Sequence, residues 1–218
     1  MAIIRTVFKQ TSSAATAAAE MLTWLQTNAS DYFTDIISGD NNAVICKIGD
    51  LEALTLYPSN NSKTTEIKLA VGTTYSCGSQ TFLRAYKTDN GIAIFDSAYK
   101  PIFVTKDAAT NNTLIFAAVV YGTYVYQLAY YCFDIANGSS VYTLAKVSSS
   151  GSTFATLRAA ASRTAGATAL CPIIFGDTGA YSDRLFLAVF NQNINATETI
   201  IKIGDKQYVF DGAIALEE

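Results

Sequence analysis

The chain has 218 residues, of which 50% are hydrophobic and only 15% charged, and 15 Lys and Arg against 18 Asp and Glu leave a net charge of −3. That composition is the opposite of a disordered chain's and lacks the basic footprint of a nucleic-acid-binding surface. It contains no histidine, so Ser-His and Cys-His nucleophiles, HExxH metal sites and imidazole general bases are all excluded.

One long helix is predicted near the N-terminus. Ser12 or Ser13 can cap it, and the following AATAAAEMLTWLQTNA contains good helix formers and neither Gly nor Pro. Ala15, Ala18, Leu22, Leu25, Ala29, Tyr32 and Ile36 fall at alternating spacings of three and four, a heptad-like seam if the helix runs to about Ile36. Two readings stand: a helix laid across a sheet, or a self-associating seam contacting a second copy through Leu22, Leu25 and Ile36. Ser38-Gly39-Asp40 ends it.

From Asn42 onward the signals are β, arranged as tight hairpins. Gly49-Asp50 joins Ala43–Ile48 to Leu51–Tyr57, with Gly first as a type II′ turn requires. Asn90-Gly91 offers the positive φ of a type I′ turn between Thr81–Thr88 and Ile92–Phe95. Gly122-Thr123 would join Leu114–Tyr121 to Tyr124–Ile135. Asn137-Gly138 would then continue this meander into Ser139–Lys146. Gly204-Asp205 joins Thr199–Ile203 to Lys206–Phe210, and a last strand follows Asp211-Gly212. Lys-Ile-Gly-Asp occurs at both Lys47–Asp50 and Lys202–Asp205, which we read as convergence on a good turn.

A two-residue loop at Gly122-Thr123 would place Val119 opposite Tyr126, Ala117 opposite Leu128 and Ile115 opposite Tyr130. Both faces of that hairpin are then largely apolar and need cover, from other layers of the chain or from another subunit. The Tyr-rich strands, with Tyr121, Tyr124 and Tyr126, serve either as cross-strand packing and interface or as a sugar-stacking platform. Ser148 to Ser152 (SSSGS) is the one linker-like stretch. It divides an N-terminal helix plus β region, 1–147, from a C-terminal β region, 148–218, the two expected to pack as one unit. The expected fold is mainly β (α+β), with antiparallel hairpin and meander sheets in a sandwich-like arrangement and one long N-terminal helix.

Cys46, Cys77, Cys132 and Cys171 form no CxxC knuckle, and MAIIRTVFKQ has no apolar signal-peptide core. Reduced, buried thiols are therefore expected. The apolar stretch from Leu114 to Ile135 is broken by Gly122, Thr123, Gln127 and Asp134, so it reads as strands and no membrane insertion is expected. Without histidine, the catalytic groups left are carboxylates, Lys, Tyr and Cys. Asp31, Asp35, Asp96, Asp107, Asp134, Asp177 and Asp183 mostly sit in turn-like settings, where Asp bonds its own backbone. A carboxylate hydrolase built on Asp177 or Asp183 is a third-ranked reading. Gly176-Asp-Thr-Gly179 has no second copy to form a protease dyad, and neither GxxxxGK[ST] nor GxGxxG occurs. No catalytic residue, cofactor or metal ligand is assigned.

Several segments together carry a resemblance: Trp24-Leu25-Gln26, Tyr32-Phe33-Thr34-Asp35-Ile36, Ala85-Tyr86-Lys87-Thr88, Ile102-Phe103-Val104-Thr105-Lys106 and the closing Ile203-Gly204-Asp205-Lys206-Gln207-Tyr208 with Phe210-Asp211-Gly212. In this order the chain resembles virion proteins of tailed bacteriophages and prophages of gut Firmicutes. The resemblance implies a non-enzymatic structural component of the tail, neck or an appendage, assembled in the host cytoplasm and residing in the virion. Its expected partners are copies of itself and other virion proteins, with no nucleic acid. A carbohydrate- or cell-surface-binding β module, taking a host-surface glycan, is the alternative.

Overall fold

The computed structural model describes residues 3–8, 13–59, 62–79, 81–96, 101–120, 128–146, 168–174, 181–190, 199–210 and 214–218. Strand β1 (Ile4–Val7) precedes helix α1 (Ala14–Asn28). Next come β2 (Asp35–Gly39), β3 (Ala43–Ile48), β4 (Leu51–Leu56), β5 (Thr65–Lys68) and β6 (Thr74–Gly78), one antiparallel sheet in chain order. A seven-stranded sheet holds β7 (Phe82–Lys87), β8 (Gly91–Asp96), β9 (Pro101–Lys106), β10 (Thr113–Val120), β11 (Leu128–Asp134) and β12 (Ser139–Lys146), with β1 added beside β7. The third sheet contains β13 (Thr168–Ile174), β14 (Tyr181–Phe190), β15 (Thr199–Ile203), β16 (Lys206–Phe210) and β17 (Ile214–Glu217), in the order β13-β14-β17-β16-β15. The protein is thus mainly β, and the described residues form one N-terminal α-helix and three antiparallel sheets.

Side-chain alternation along the central strands shows how the sheets stack. Ile92 and Ile94, Ile102 and Val104, and Ile115, Ala117 and Val119 join one core with α1 and the β2–β6 sheet. Their neighbours Ala93, Phe95, Phe103, Leu114 and Phe116 join a second core with Val209, Ile214 and Leu216 of the third sheet. Strands β8–β10 are therefore covered on both faces from within the chain, as all-apolar strands demand.

Helix α1 begins as expected, with Ser13 Oγ accepting from the Thr16 amide at 3.3 Å. It stops at Asn28, short of Ile36. Thr23, Thr27 and Asn28 turn their side chains back onto the carbonyls of Ala19, Thr23 and Trp24, which weakens helix propagation. Ala29 N–H closes the last turn on Leu25 O at 2.7 Å. The heptad-like seam is accordingly not one helix face: Ile36 lies on β2 and Ala15 is exposed, although Ala18, Leu25, Ala29, Tyr32 and Ile36 all enter the core. Burial, rather than helical register, is what those spacings recorded.

Among the hairpins, Gly49 and Gly204 have φ near +60° at the tips of β3–β4 and β15–β16, as the repeated Lys-Ile-Gly-Asp requires. The β7–β8 turn differs from the type I′ expectation. Thr88 N–H bonds Gly91 O at 2.9 Å, so Asp89-Asn90 forms the tip, and Gly91 is the first residue of β8 without a positive φ. Register also differs in the central hairpin, where Ile115 pairs with Phe133 and Ala117 with Tyr131. Those rings stack on each other at 5.8 Å and meet Tyr75 of β6, with Tyr75 and Phe133 centred 4.7 Å apart. The offset from the expected pairing is odd, so it moves Tyr131 and Phe133 to the face that packs on the β2–β6 sheet. Gly122-Thr123, Tyr121, Tyr124 and Tyr126 lie outside the described residues, as do Ser148 to Ser152 and Gly176 to Gly179. Cys46, Cys77 and Cys132 are buried thiols outside any disulfide, and burial raises the Cys46 and Cys132 thiol pKa values well above normal.

Candidate binding cleft

A polar concavity forms where the three layers meet at one end of the stack. It starts from the turn after α1, where Tyr32 N–H bonds Ala29 O at 3.0 Å and Phe33 N–H bonds the same carbonyl at 3.2 Å. This turn leaves Asp31 in solvent and drives Tyr32 inward, to 5% exposure. Thr113 Oγ1 donates to Tyr32 O at 2.7 Å and itself accepts from Lys106 Nζ at 3.1 Å. Two ammonium groups lie by the Tyr32 ring, Lys87 Nζ at 5.0 Å and Lys106 Nζ at 5.9 Å from its centroid, within cation–π range. Lys87 also sits 3.8 Å from the Asp31 carboxylate.

The central sheet contributes two loops. Thr105 Oγ1 donates to Asn90 O at 2.7 Å, and Asn90 Nδ2 donates to the backbone oxygen of Glu218, tying the β7–β8 tip to the residue that follows β17. In the β9–β10 loop, Asp107 Oδ1 accepts from the Ala109 and Thr110 amides at 2.9 and 2.6 Å and from Thr110 Oγ1 at 2.8 Å. Asn111 takes a left-handed φ of 61°, a conformation Asn tolerates. From the third sheet comes Arg184, whose Nη1 lies 3.0 Å from Glu217 Oε1. The buried Glu217 carboxylate oxygen also accepts from Lys206 Nζ at 2.8 Å.

Together these elements enclose about 510 Å³ lined by Asp31, Tyr32, Asp89, Lys106, Asn111 and Arg184, among others. A second lobe of about 240 Å³ shares Asp31, Tyr32, Lys106 and Asn111 with it. Burial, then the Asp31 and Asp89 charges, push the Tyr32 phenol up to about 12. Burial lowers the Lys106 ammonium, an effect Asp31 partly opposes. The result is a neutral phenol flanked by alternating cations and carboxylates.

Raising a phenol's folded-state pKa from 10 to about 12 makes stability depend on pH in one direction. Below pH 10 the phenol is protonated whether the chain is folded or not. Between 10 and 12 the unfolded chain ionises first, so stability is lost as pH rises. The expected outcome is a fall in the urea midpoint over that window that is shallower in Tyr32→Phe. Equal slopes in both proteins would refute the Tyr32 contribution.

The structure separates the residues offered by the sequence. Leu25 and Ile36 are core residues at 0% and 5% exposure, and half-buried Leu22 packs on the same core. They face this chain's own interior because α1 lies across the β2–β3 edge of the first sheet. Of the carboxylates, Asp134 is fully buried and accepts from Asn112 and from Asn137 N and Nδ2. Asp96 is buried as well, Asp107 closes its own turn, and Asp35 is exposed at the start of β2. Asp31 alone of these reaches the cleft as an exposed carboxylate. Asp183 is carried by β14, and Asp177 lies outside the described residues. Asp89, Lys106, Asn111 and Arg184 were not singled out as site residues in the sequence, where each is an ordinary turn or strand residue. Among the described residues no group of three His, Cys, Asp or Glu side chains is placed to hold a metal.

A second, apolar groove of about 590 Å³ runs between β1 and α1, lined by Val7, Phe8, Ala19, Glu20 and Trp24 among others. Trp24 Nε1 donates to Thr6 Oγ1 at 3.1 Å and its ring meets Phe8 edge-on at 6.1 Å.

Fold and cleft define a three-layer antiparallel β protein with a polar site at the layer junction. Searches of protein-family models, curated proteins and solved structures found no match to this chain.

Proposed function

We propose that the chain is a non-enzymatic structural component of a bacteriophage particle, of the tail, neck or appendage type, working by self-assembly. The observation that supports this reading is the rim of the central sheet. Among the described residues, strand β1 has β7 as its sole neighbour in that sheet, and it carries Ile4 and Val7 at 54% and 59% exposure beside the apolar β1–α1 groove. An open edge with exposed apolar residues is a template for pairing with another chain. The two apolar faces of strands β8–β10 are covered inside the chain, so we place the contact between subunits at this rim. A second copy presenting the same edge gives a closed, isologous pair, the commonest oligomer symmetry.

Light scattering tests this directly. The expected result is an oligomer that dissociates when Ile4 and Val7 are both replaced by Lys, with the far-ultraviolet circular dichroism unchanged. A monodisperse 23.4 kDa monomer at high micromolar concentration would overturn the assembly reading.

The polar cleft favours a second reading, a module that binds a cell-surface saccharide. The cleft has the size of a small-molecule site, and its lining offers both hydrogen-bond donors and acceptors.

A further inference from the structure

We propose that the cleft around Tyr32 binds an uncharged saccharide, with Asp31 and Asp89 accepting from its hydroxyls and Lys106, Asn111 and Arg184 donating to them. The proposal rests on the second reading above and names its site. It differs from the sequence expectation, which placed sugar stacking on Tyr121, Tyr124 and Tyr126.

Charge decides the ligand class. A phosphate or nucleotide entering the cleft would meet Asp31, Asp89 and Asp107, and a divalent cation would meet Lys106 and Arg184. Neither finds a site of one sign. An uncharged polyol gains from both sets, because each hydroxyl donates once and accepts twice. Bonds to charged partners are the stronger kind. Tyr32 remains a neutral phenol at ordinary pH, so its hydroxyl keeps its hydrogen while Lys87 and Lys106 occupy positions by its ring. Sugar stacking on that ring is therefore not part of the proposal; recognition is by hydrogen bonds.

The walls are set before any ligand arrives. Asp107 locks the β9–β10 loop through three hydrogen bonds to one oxygen. Thr105 and Glu218 hold the β7–β8 tip through Asn90, and Thr113 holds the Tyr32 carbonyl. Such pre-ordering lowers the entropic cost of binding. The side chains offered to the ligand at the mouth, Asp31, Asp89 and Asn111, are exposed, so they can be exchanged without disturbing the core, Asn111 by a glycine that keeps its left-handed φ. The two lobes at the shared Tyr32–Lys106 boundary favour an oligosaccharide over a single ring.

A glycan array followed by calorimetry with the strongest neutral oligosaccharide tests this, with N,N′-diacetylchitobiose, maltotriose and lactose as first probes. Asp89→Ala and Asn111→Gly, the latter keeping the left-handed backbone without strain, are expected to weaken binding about tenfold or more each. Glu20→Gln, in the separate β1–α1 groove, is expected to leave it unchanged. A neutral saccharide that binds all four proteins equally would overturn the cleft assignment and leave the binding-module reading standing. Absence of binding to any glycan would overturn both. Inorganic phosphate or calcium binding that Asp89→Ala or Asn111→Gly abolishes, with no saccharide binding, would overturn the neutral-ligand class.

Discussion

Phe103→Ala is expected to lower the unfolding free energy by about 3–5 kcal/mol, the usual cost of truncating a buried Phe. Phe103 is fully buried on β9, in the middle of an aromatic row that crosses four strands. Its ring centroid lies 5.8 Å from Phe95 and 6.0 Å from Phe116, and Phe95 in turn meets Tyr86 edge-on at 5.8 Å. Removing it opens a cavity and deletes two ring contacts at the interface with the third sheet. Native stability is typically about 5–15 kcal/mol, so this one change removes a large part of it. Urea denaturation measures the effect, as a fall in midpoint at unchanged slope. A loss under about 1 kcal/mol would mean that the third sheet does not close on this face as described.

Gly91→Val is expected to destabilise by about 3 kcal/mol, toward the upper end of overpacking effects. The reason is contact, since Gly91 φ is not in the left-handed region. A Cβ at this position would lie 2.5 Å from Val104 O and 2.9 Å from Leu216 Cδ1. The first is backbone of the adjacent strand and cannot yield easily. The second belongs to β17 and transmits the displacement into the third sheet. Gly204→Ala is the comparison: its φ is +61° and nothing lies within 4 Å of the new Cβ. Only the left-handed backbone cost of about 1–2 kcal/mol is expected there. Equal effects at the two positions would show that close packing is not what requires glycine at 91.

These two glycines also show how the sequence informs the fold. Gly204-Asp205 and Gly49-Asp50 were legible as hairpin tips because a positive φ is a local demand that the residue itself reveals. Gly91 was read the same way, as the second half of an Asn-Gly turn. Its actual role is to admit the Val104 carbonyl of the adjacent strand and Leu216, the latter more than a hundred residues away in sequence, and no local pattern encodes that approach.

The same division runs through the helix and the central hairpin. Capping by Ser13 and the start of α1 follow from side-chain chemistry within one turn. Its end does not, because the apolar spacing continues through Ala29, Tyr32 and Ile36 while the chain leaves the helix and enters β2. Burial in one core preserves the spacing through a turn and a strand, so periodicity alone overextended the helix. In the β10–β11 hairpin, apolar residues on both faces correctly demanded cover on both sides. The register was decided instead by Tyr75 of β6 packing against Tyr131 and Phe133.

By itself, then, the sequence determined the mainly β class, the N-terminal helix, the tips at Gly49 and Gly204 and the need to cover the central strands twice, because propensity, turn chemistry and alternation act over a few residues. Tertiary structure alone decided that the cover comes from two other sheets of the same chain and that Leu25 and Ile36 face its interior. It also brought Tyr32, Asp89, Lys106 and Arg184 to one cleft. Those four residues lie on a post-helix turn, a hairpin tip and strands of two different sheets, and long-range packing of the layers is the physical cause of their meeting.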